Sequence, residues 1–311
     1  MADTRYPPRP RRRRRRLARL IVWPAEAMFL LLFWRLAACL SPARASAAGA
    51  WLFGRIGPHL GKQRFVAGNL ALAFPDRSQA RRDALARQVW ANFGAVLAEY
   101  AHLRRLSAHQ RRQRLELHVD PRARAVLQAA RPAIYVSAHM ANWELAAAAI
   151  TAAGVPLSVV YAPQGNPLVN RLLQARRRVM GCRFIPKQQA LRRLLRELRD
   201  GRSIGILPDQ RVDAGRPLPF FGHRAQTTTS PALLALRTGL PLIPVQIERM
   251  GHARYRATFH APLRVGEAAD AEAITLRLNS LFEDWIRRRP EQWLCMRRRW
   301  PPATYRLVAE S

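Results

Sequence analysis

Cysteine is scarce in this chain. Its three cysteines, Cys39, Cys182 and Cys295, are far apart, odd in number and in no metal-like spacing. Neither a disulfide framework nor a zinc site organises such a chain, and a reducing compartment suits it. Lysine is scarcer still. Lys62 and Lys187 are the only lysines among 53 Lys and Arg residues, so the positive charge is almost wholly guanidinium. Acidic residues number 20, which leaves a formal charge of +33 and calls for acidic partners. No zinc-finger, KH or RNP-type motif occurs, and the arginines are spread over many elements, so nucleic acid is not the expected partner. An uninterrupted apolar run of the roughly 20 residues that a simple transmembrane helix wants is also missing. Arg19, Pro24, Glu26 and Arg35 break the most apolar segment, whose longest uncharged stretch is Ala27 to Trp34.

What is present begins with that segment. Arg9 and Arg11 to Arg16 directly precede Leu17 to Leu40. Two readings fit: a strained single pass with the arginine run on the cytoplasmic side, or a helix lying in the membrane interface. Membrane association, with an anionic surface as partner, follows from either. Ala43-Arg44-Ala45 and Ala45-Ser46-Ala47 resemble signal cleavage sites, but an apparently cytosolic domain follows, so an anchor is the expectation. Composition turns near Ser41-Pro42. The expected organisation is a disordered basic tail over residues 1–16, a membrane-associated helix over 17–45 and one large domain over 46–311. A chain of 311 residues with 49% hydrophobic content can bury a core of that size.

Periodicity predicts helices over Ala50 to Leu60 and Gln79 to Leu106, the latter with Trp90, Phe93, Val96, Leu97 and Tyr100 on one stripe. Strand and helix patterns then alternate. Apolar β-type runs at 133–138, 157–162, 183–186, 203–207, 242–248 and 255–260 are separated or followed by helical patterns near 143–150, 167–180, 189–200, 229–238 and 271–289. The fold class is α/β, a mixed central sheet flanked by helices.

The strand Ala133 to Ser137 delivers His139 into His139-Met140-Ala141-Asn142-Trp143-Glu144, at a strand-to-helix junction of the kind where α/β proteins keep their sites. Residues five apart on a continuous helix point about 140° away from each other, so His139 must precede the helix. With Asn142 as its cap, Glu144 falls in the first turn and can point back to orient the imidazole. A base and an orienter suit deprotonation of a hydroxyl that attacks an activated acyl carbon. No nucleophilic Ser or Cys lies in the motif to form an acyl-enzyme. A loop histidine beside a helix-start glutamate, favoured by the helix dipole, fits the same pattern.

These residues resemble the lysophospholipid acyltransferase-like superfamily, and within it the bacterial late (lauroyl/myristoyl-type) acyltransferases of lipid A biosynthesis, whose motif commonly reads His-Phe-Gly-Asn-Trp-Glu. Asn142, Trp143 and Glu144 match, whereas Met140 and Ala141 depart. Asn69-Leu70-Ala71-Leu72-Ala73-Phe74-Pro75 is similar to the family's Asn-Leu-x-x-x-Phe-Pro segment. Asn166-Pro167-Leu168, Leu207-Pro208-Asp209-Gln210, Pro219-Phe220-Phe221-Gly222 and Thr228-Thr229 follow in order. The resemblance runs from about Arg64 to Trp300, and Cys295 and Arg297 stand where the family usually has Trp and His. It implies a glycerolipid acyltransferase-like fold over 46–311, at the inner membrane with the catalytic domain facing the cytoplasm. It also implies direct O-acyl transfer from acyl carrier protein, or acyl-CoA, to a hydroxyl of a lipid A precursor, with His139 as base and Glu144 as orienter. No metal or redox cofactor is called for.

Arg171, Arg176, Arg177 and Arg178 include the position at which the resemblance implies a substrate-contacting arginine, and Arg177 is the expected one, for a phosphate or the developing oxyanion. A solvated basic face fits these arginines equally. Asn166 is a helix cap whatever else it touches. Asp209, ending a buried strand, is expected to accept from a substrate hydroxyl or pair with Arg177, or to close a turn. Phe220 and Phe221 are candidates for lining an acyl pocket, or for anchoring a loop. Capping accounts for at least one of Thr227, Thr228 and Thr229. Two alternatives stand beside this reading: the same chemistry on another glycolipid or a lysophospholipid, and a non-catalytic basic protein that binds membrane or nucleic acid.

Overall fold

The computed structural model describes residues 18–107, 114–187, 190–263 and 270–309. The expected basic tail at 1–16 lies outside the described residues. A π-helical turn, Ala18–Val22, leads into α1, Trp23–Ala38. Helix α2, Pro42–Ile56, starts where Ser41 Oγ accepts from the Arg44 amide and Pro42 takes the first helical position. It runs through the boundary expected after residue 45. Helix α3, Gln63–Ala73, carries the Asn-Leu segment, and α4, Gln79–Glu99, carries the aromatic stripe. The single long helix expected to Leu106 instead gives way to a 3-10 turn at Tyr100–His102 before the short α5, Leu103–Ser107. Helices α2 and α4 cross at two glycines: a Cβ on Gly49 would sit 2.4 Å from the Gly94 carbonyl oxygen. Only bare backbone permits that approach.

Beyond α5 come β1, Leu115–Val119, and α6, Pro121–Gln128. The α/β part then runs β2, Ile134–Val136; α7, Glu144–Ala152; β3, Leu157–Tyr161; α8, Pro167–Arg177; β4, Arg183–Pro186; α9, Ala190–Arg199; and β5, Ser203–Ile206. A hairpin of β6, Arg216–Phe220, and β7, His223–Thr227, turns on Phe221 at φ 49° and Gly222 at φ 75°. Both positive values belong to the two-residue turn whose twist matches its strands. Helix α10, Ser230–Thr238, strands β8, Leu242–Gly251, and β9, Arg254–Phe259, then α11, Ala271–Arg288, and α12, Pro302–Ala309, complete the fold.

The main sheet has the order β1-β9-β8-β2-β5-β3-β4, parallel throughout except for the antiparallel β8–β9 pair. Its faces alternate with the pleat. Ile134 and Val136 join one buried cluster with Ile204, Ile206 and the aromatic C-terminal block, while Tyr135 joins the other with Leu157, Val159, Ile243 and Val245. Helices cover both faces, which is the expected mixed α/β architecture. Strands β2 and β5 lie side by side at the centre of the sheet, so whatever follows them emerges at the same edge.

Candidate active site

The site is built by register. Val136 is paired with Ile206 across the parallel β2–β5 ladder, and the Ser137 amide still donates to Ile206 O at 3.1 Å. Three residues beyond each strand end stand His139 and Asp209. The His139 amide donates to Asp209 Oδ2 at 2.9 Å, and Nδ1 of the ring lies 2.7 Å from Oδ1. Burial alone would raise the Asp209 carboxyl, but His139, through charge and two hydrogen bonds, and the nearby Arg299 outweigh it and hold the group below the usual carboxylate range. An ionised carboxylate can only accept, so Nδ1 carries a proton, and whenever the ring is neutral Nε2 is the nitrogen with the lone pair. The imidazole side chain is 20% exposed against 1% for Asp209. The arrangement is an oriented imidazole facing outward from a buried carboxylate.

Asp209, and not Glu144, therefore holds the imidazole. Glu144 begins α7, and its carboxylate is taken from the other side: Arg177 Nε donates to Oε2 at 3.0 Å and Nη2 to Oε1 at 2.5 Å, while Tyr100 Oη donates to Oε1. A buried carboxylate satisfies itself with the strongest donors in reach, and a two-pronged guanidinium outcompetes one imidazole N–H. Burial, which would lower Arg177, is overcome by Glu144 and Tyr100, so the arginine is held well charged. Burial and Glu144 push the Tyr100 hydroxyl well above its usual range, so it stays a donor. Asp209 does not pair with Arg177, since its carboxylate is spent on His139.

The loop from His139 to Trp143 owes its shape to distant segments. Ala141 adopts φ 48°, in the left-handed region, at the position where the resembled motif carries glycine. The Ala141 amide donates to Gln292 O at 2.8 Å, and the Leu294 amide donates to His139 O at 2.8 Å. Asn142 does not cap α7 as expected: its Nδ2 donates to Glu99 Oε2 at 2.9 Å. Glu99 is fully buried and also receives Arg249 Nη1 at 2.5 Å and the Tyr255 hydroxyl. Sequence reasoning missed Glu99, Tyr100, Arg249 and Tyr255. The available signal was an acid three residues after Val96 on an otherwise apolar stripe, where a buried charge needs a partner.

A family model for bacterial lipid A biosynthesis acyltransferases matches residues 11–301. The chain belongs to that family. It is 26% identical over 250 residues to the lipid A biosynthesis palmitoleoyltransferase of Escherichia coli (strain K12), covering 78% of this chain and 80% of that protein. The lipid A biosynthesis myristoyltransferase of the same organism is also 26% identical, over 253 residues, 77% of this chain and 76% of the relative. A solved structure, the 1-acyl-sn-glycerophosphate (LPA) acyltransferase PlsC from Thermotoga maritima, is a distant likeness at TM-score 0.38 and 14% identity, covering 87% of this chain and 99% of that one. This protein is thus an acyltransferase, and the non-catalytic reading falls away.

The remaining lipid A acyltransferase blocks are placed as follows. Asn166 is the cap of α8, accepting from the Leu168 and Val169 amides, and its Nδ2 donates to Trp23 O and to Glu26 Oε2, both at 2.9 Å. Its amide is consumed in tying α8 to α1. Phe220 and Phe221 are buried among Phe74, Trp293 and Trp300, so they form a wall of the core rather than of an open acyl pocket. Thr228 Oγ1 accepts from the Ser230 amide, the local bonding expected at a helix start. Asn69 explains why the C-terminal departures are tolerated. Its Nδ2 donates to the backbone carbonyls of Cys295 and Arg297, each at 2.7 Å, and backbone acceptors do not depend on which side chain is attached. Among the described residues no cluster of His, Cys, Asp and Glu could hold a metal ion.

Proposed function

We propose that the protein transfers a fatty acyl chain from an acyl thioester, with acyl carrier protein as donor, to a hydroxyl of a lipid A precursor, and that His139 is the general base. The observation that carries this reading is the committed Nδ1 of His139 on ionised Asp209, which leaves Nε2 for a substrate proton. In the proposed step Nε2 takes the hydroxyl proton as the oxygen attacks the thioester carbonyl carbon. The C–S bond then breaks, and the imidazolium returns the proton to the leaving thiolate. Asp209 holds the ring and balances the imidazolium charge.

Arg177 supports substrate binding in this scheme. Two of its nitrogens are engaged by Glu144 and Tyr100, and Nη1 makes no hydrogen bond among the described residues, so it is the donor available to a phosphate or to the oxyanion. The charge of +33 favours an acidic protein donor by electrostatic steering. The arginine run before the apolar segment supports placement on the anionic cytoplasmic leaflet of the inner membrane, with the catalytic domain on that same side. The deciding experiment pairs purified protein in lipid vesicles with acyl carrier protein or CoA thioesters and a lipid A precursor, and reads the acceptor by mass spectrometry. Transfer from the carrier-protein thioester is expected, and His139→Ala should lose on the order of 100-fold or more. Near-normal transfer by folded His139→Ala would overturn the base assignment, and acylation of a lysophospholipid in preference to the lipid A precursor would overturn the acceptor.

A further inference from the structure

The apolar N-terminal helix is tied to the rest of the molecule along nearly its whole length. At its start, Trp23 O and the Glu26 carboxylate accept from Asn166 Nδ2. Further along, Trp34 donates through Nε1 to Leu97 O at 2.9 Å and stacks on Tyr100 with ring centroids 5.7 Å apart. At its end, His102 Nε2 lies 3.0 Å from Ala37 O. From Trp23 to Ala37 is about 21 Å of helix. Its two faces are sharply different: Ala27, Leu30, Trp34 and Ala37 are buried, while Met28, Phe29, Leu32 and Leu36, on the opposite side at helical spacing, are 57–67% exposed.

We infer that α1 does not cross the bilayer but lies flat in one leaflet, with its inner face docked on the catalytic domain and its outer face immersed in the acyl-chain layer. A crossing helix would carry everything fastened to it to the same depth. That would place Asn166, the Arg176 guanidinium 5.1 Å over the Trp34 ring, and the buried Arg177–Glu144 pair at the level of the hydrocarbon, where ionised groups are costly. Lying flat, the helix needs only one apolar side, and it has that side in addition to the docked one. The occupant is an anionic lipid leaflet: four large apolar side chains stand exposed, Arg19 and Arg35 are exposed and positioned to reach headgroups, and Arg11 to Arg16 precede the helix in sequence. The same helix supports the site, because Trp34 packs on the Tyr100 that donates to Glu144.

The test uses the full chain in vesicles of phosphatidylethanolamine and phosphatidylglycerol. Single spin labels replace Ala25, Met28, Leu32 and Leu36 in a Cys39→Ser, Cys182→Ala background, and oxygen against nickel-chelate accessibility gives each label's depth. Positions 25 and 36 are about 16 Å apart along the axis. A flat helix gives four labels at nearly one depth, within the outer 5–10 Å or so of the leaflet. A depth gradient of about 10 Å or more from 25 to 36 would mean a crossing helix, and labels in water throughout would mean no membrane contact, so either overturns the inference. A second measurement avoids labels. Phe29→Ala with Leu32→Ala removes outward apolar surface, and vesicle partition should fall about tenfold or more while the fold persists; unchanged partition overturns the inference. Depth and partition are read without any turnover, so they stand apart from the proposed acyl transfer.

Discussion

Two buried carboxylates flank the loop that holds His139, and they do different work. Asp209 arrives from the neighbouring strand β5, three residues past the sheet edge, and takes both the amide and the ring of His139. Glu144 is five residues from His139 in sequence yet gives its two oxygens to Arg177 and Tyr100. Closeness in sequence did not decide which acid holds the imidazole. What decided it was the parallel β2–β5 register, which carries two chain segments out of the sheet side by side, whereas Glu144 is turned away on the first residue of a helix. On the proposed mechanism, the difference separates a group that tunes a proton transfer from one that fixes a cationic binding element.

That division predicts the largest effect at Asp209. Asp209→Asn removes the charge that fixes the tautomer, so turnover in the vesicle assay should drop by roughly 10²–10⁴, with a much smaller change in KM. An equal fall on Glu144→Gln, at unchanged KM, would erase the distinction. Glu144→Gln should instead act on the Arg177 pair. Leaving a buried guanidinium without its counter-charge is expected to cost about 3 kcal/mol of stability, read as a lower denaturation midpoint, and to weaken acceptor binding through a raised KM. Rescue of that KM by a neutral partner, in Glu144→Gln with Arg177→Met, would show that Arg177 does not contact substrate.

Acid sharpens the contrast further. Burial would raise Glu99 and Asp209, but Arg249 in one case and His139 in the other hold both below their ordinary values of 4.5 and 3.8. A depressed carboxylate contributes stability that is complete above its unfolded pKa and is lost as pH falls through the folded one. The melting temperature should accordingly be flat from pH 7 to about 5 and fall below about 4. Asp209→Asn should show a shallower acid slope, and an unchanged slope would mean that Asp209 is not held ionised. The smallest effect belongs to Ala141. At φ 48° an alanine carries strain that glycine lacks, so Ala141→Gly should raise stability by up to about 1 kcal/mol in thermal unfolding, with activity retained.

Much of the fold is legible in the residues. The β-type runs at 133–138, 157–162, 183–186, 203–207, 242–248 and 255–260 all correspond to strands of the main sheet, because each sets apolar residues at the pleat positions that face the core. Strand β1, with only Leu115 fully buried at the sheet's edge, gave no such run, and the β6–β7 hairpin hid behind Pro217 and Pro219. In the site, local pattern places His139 just past a strand end, where it stands, but Asp209 meets His139 and not Arg177, and Asn142 donates to Glu99 and does not cap α7.

The sequence by itself determined the family, the α/β class, the histidine at a strand end and the apolar helix behind an arginine run, since each rests on local pattern or ordered motifs. Tertiary structure alone decided which acid meets His139, that Glu99 and Arg249 lock the loop from beneath, and that α1 docks lengthwise on the domain. The reason is the same in each case. Hydrogen bonds between residues 43 to 150 positions apart are set by strand order and helix packing, which no local spacing encodes.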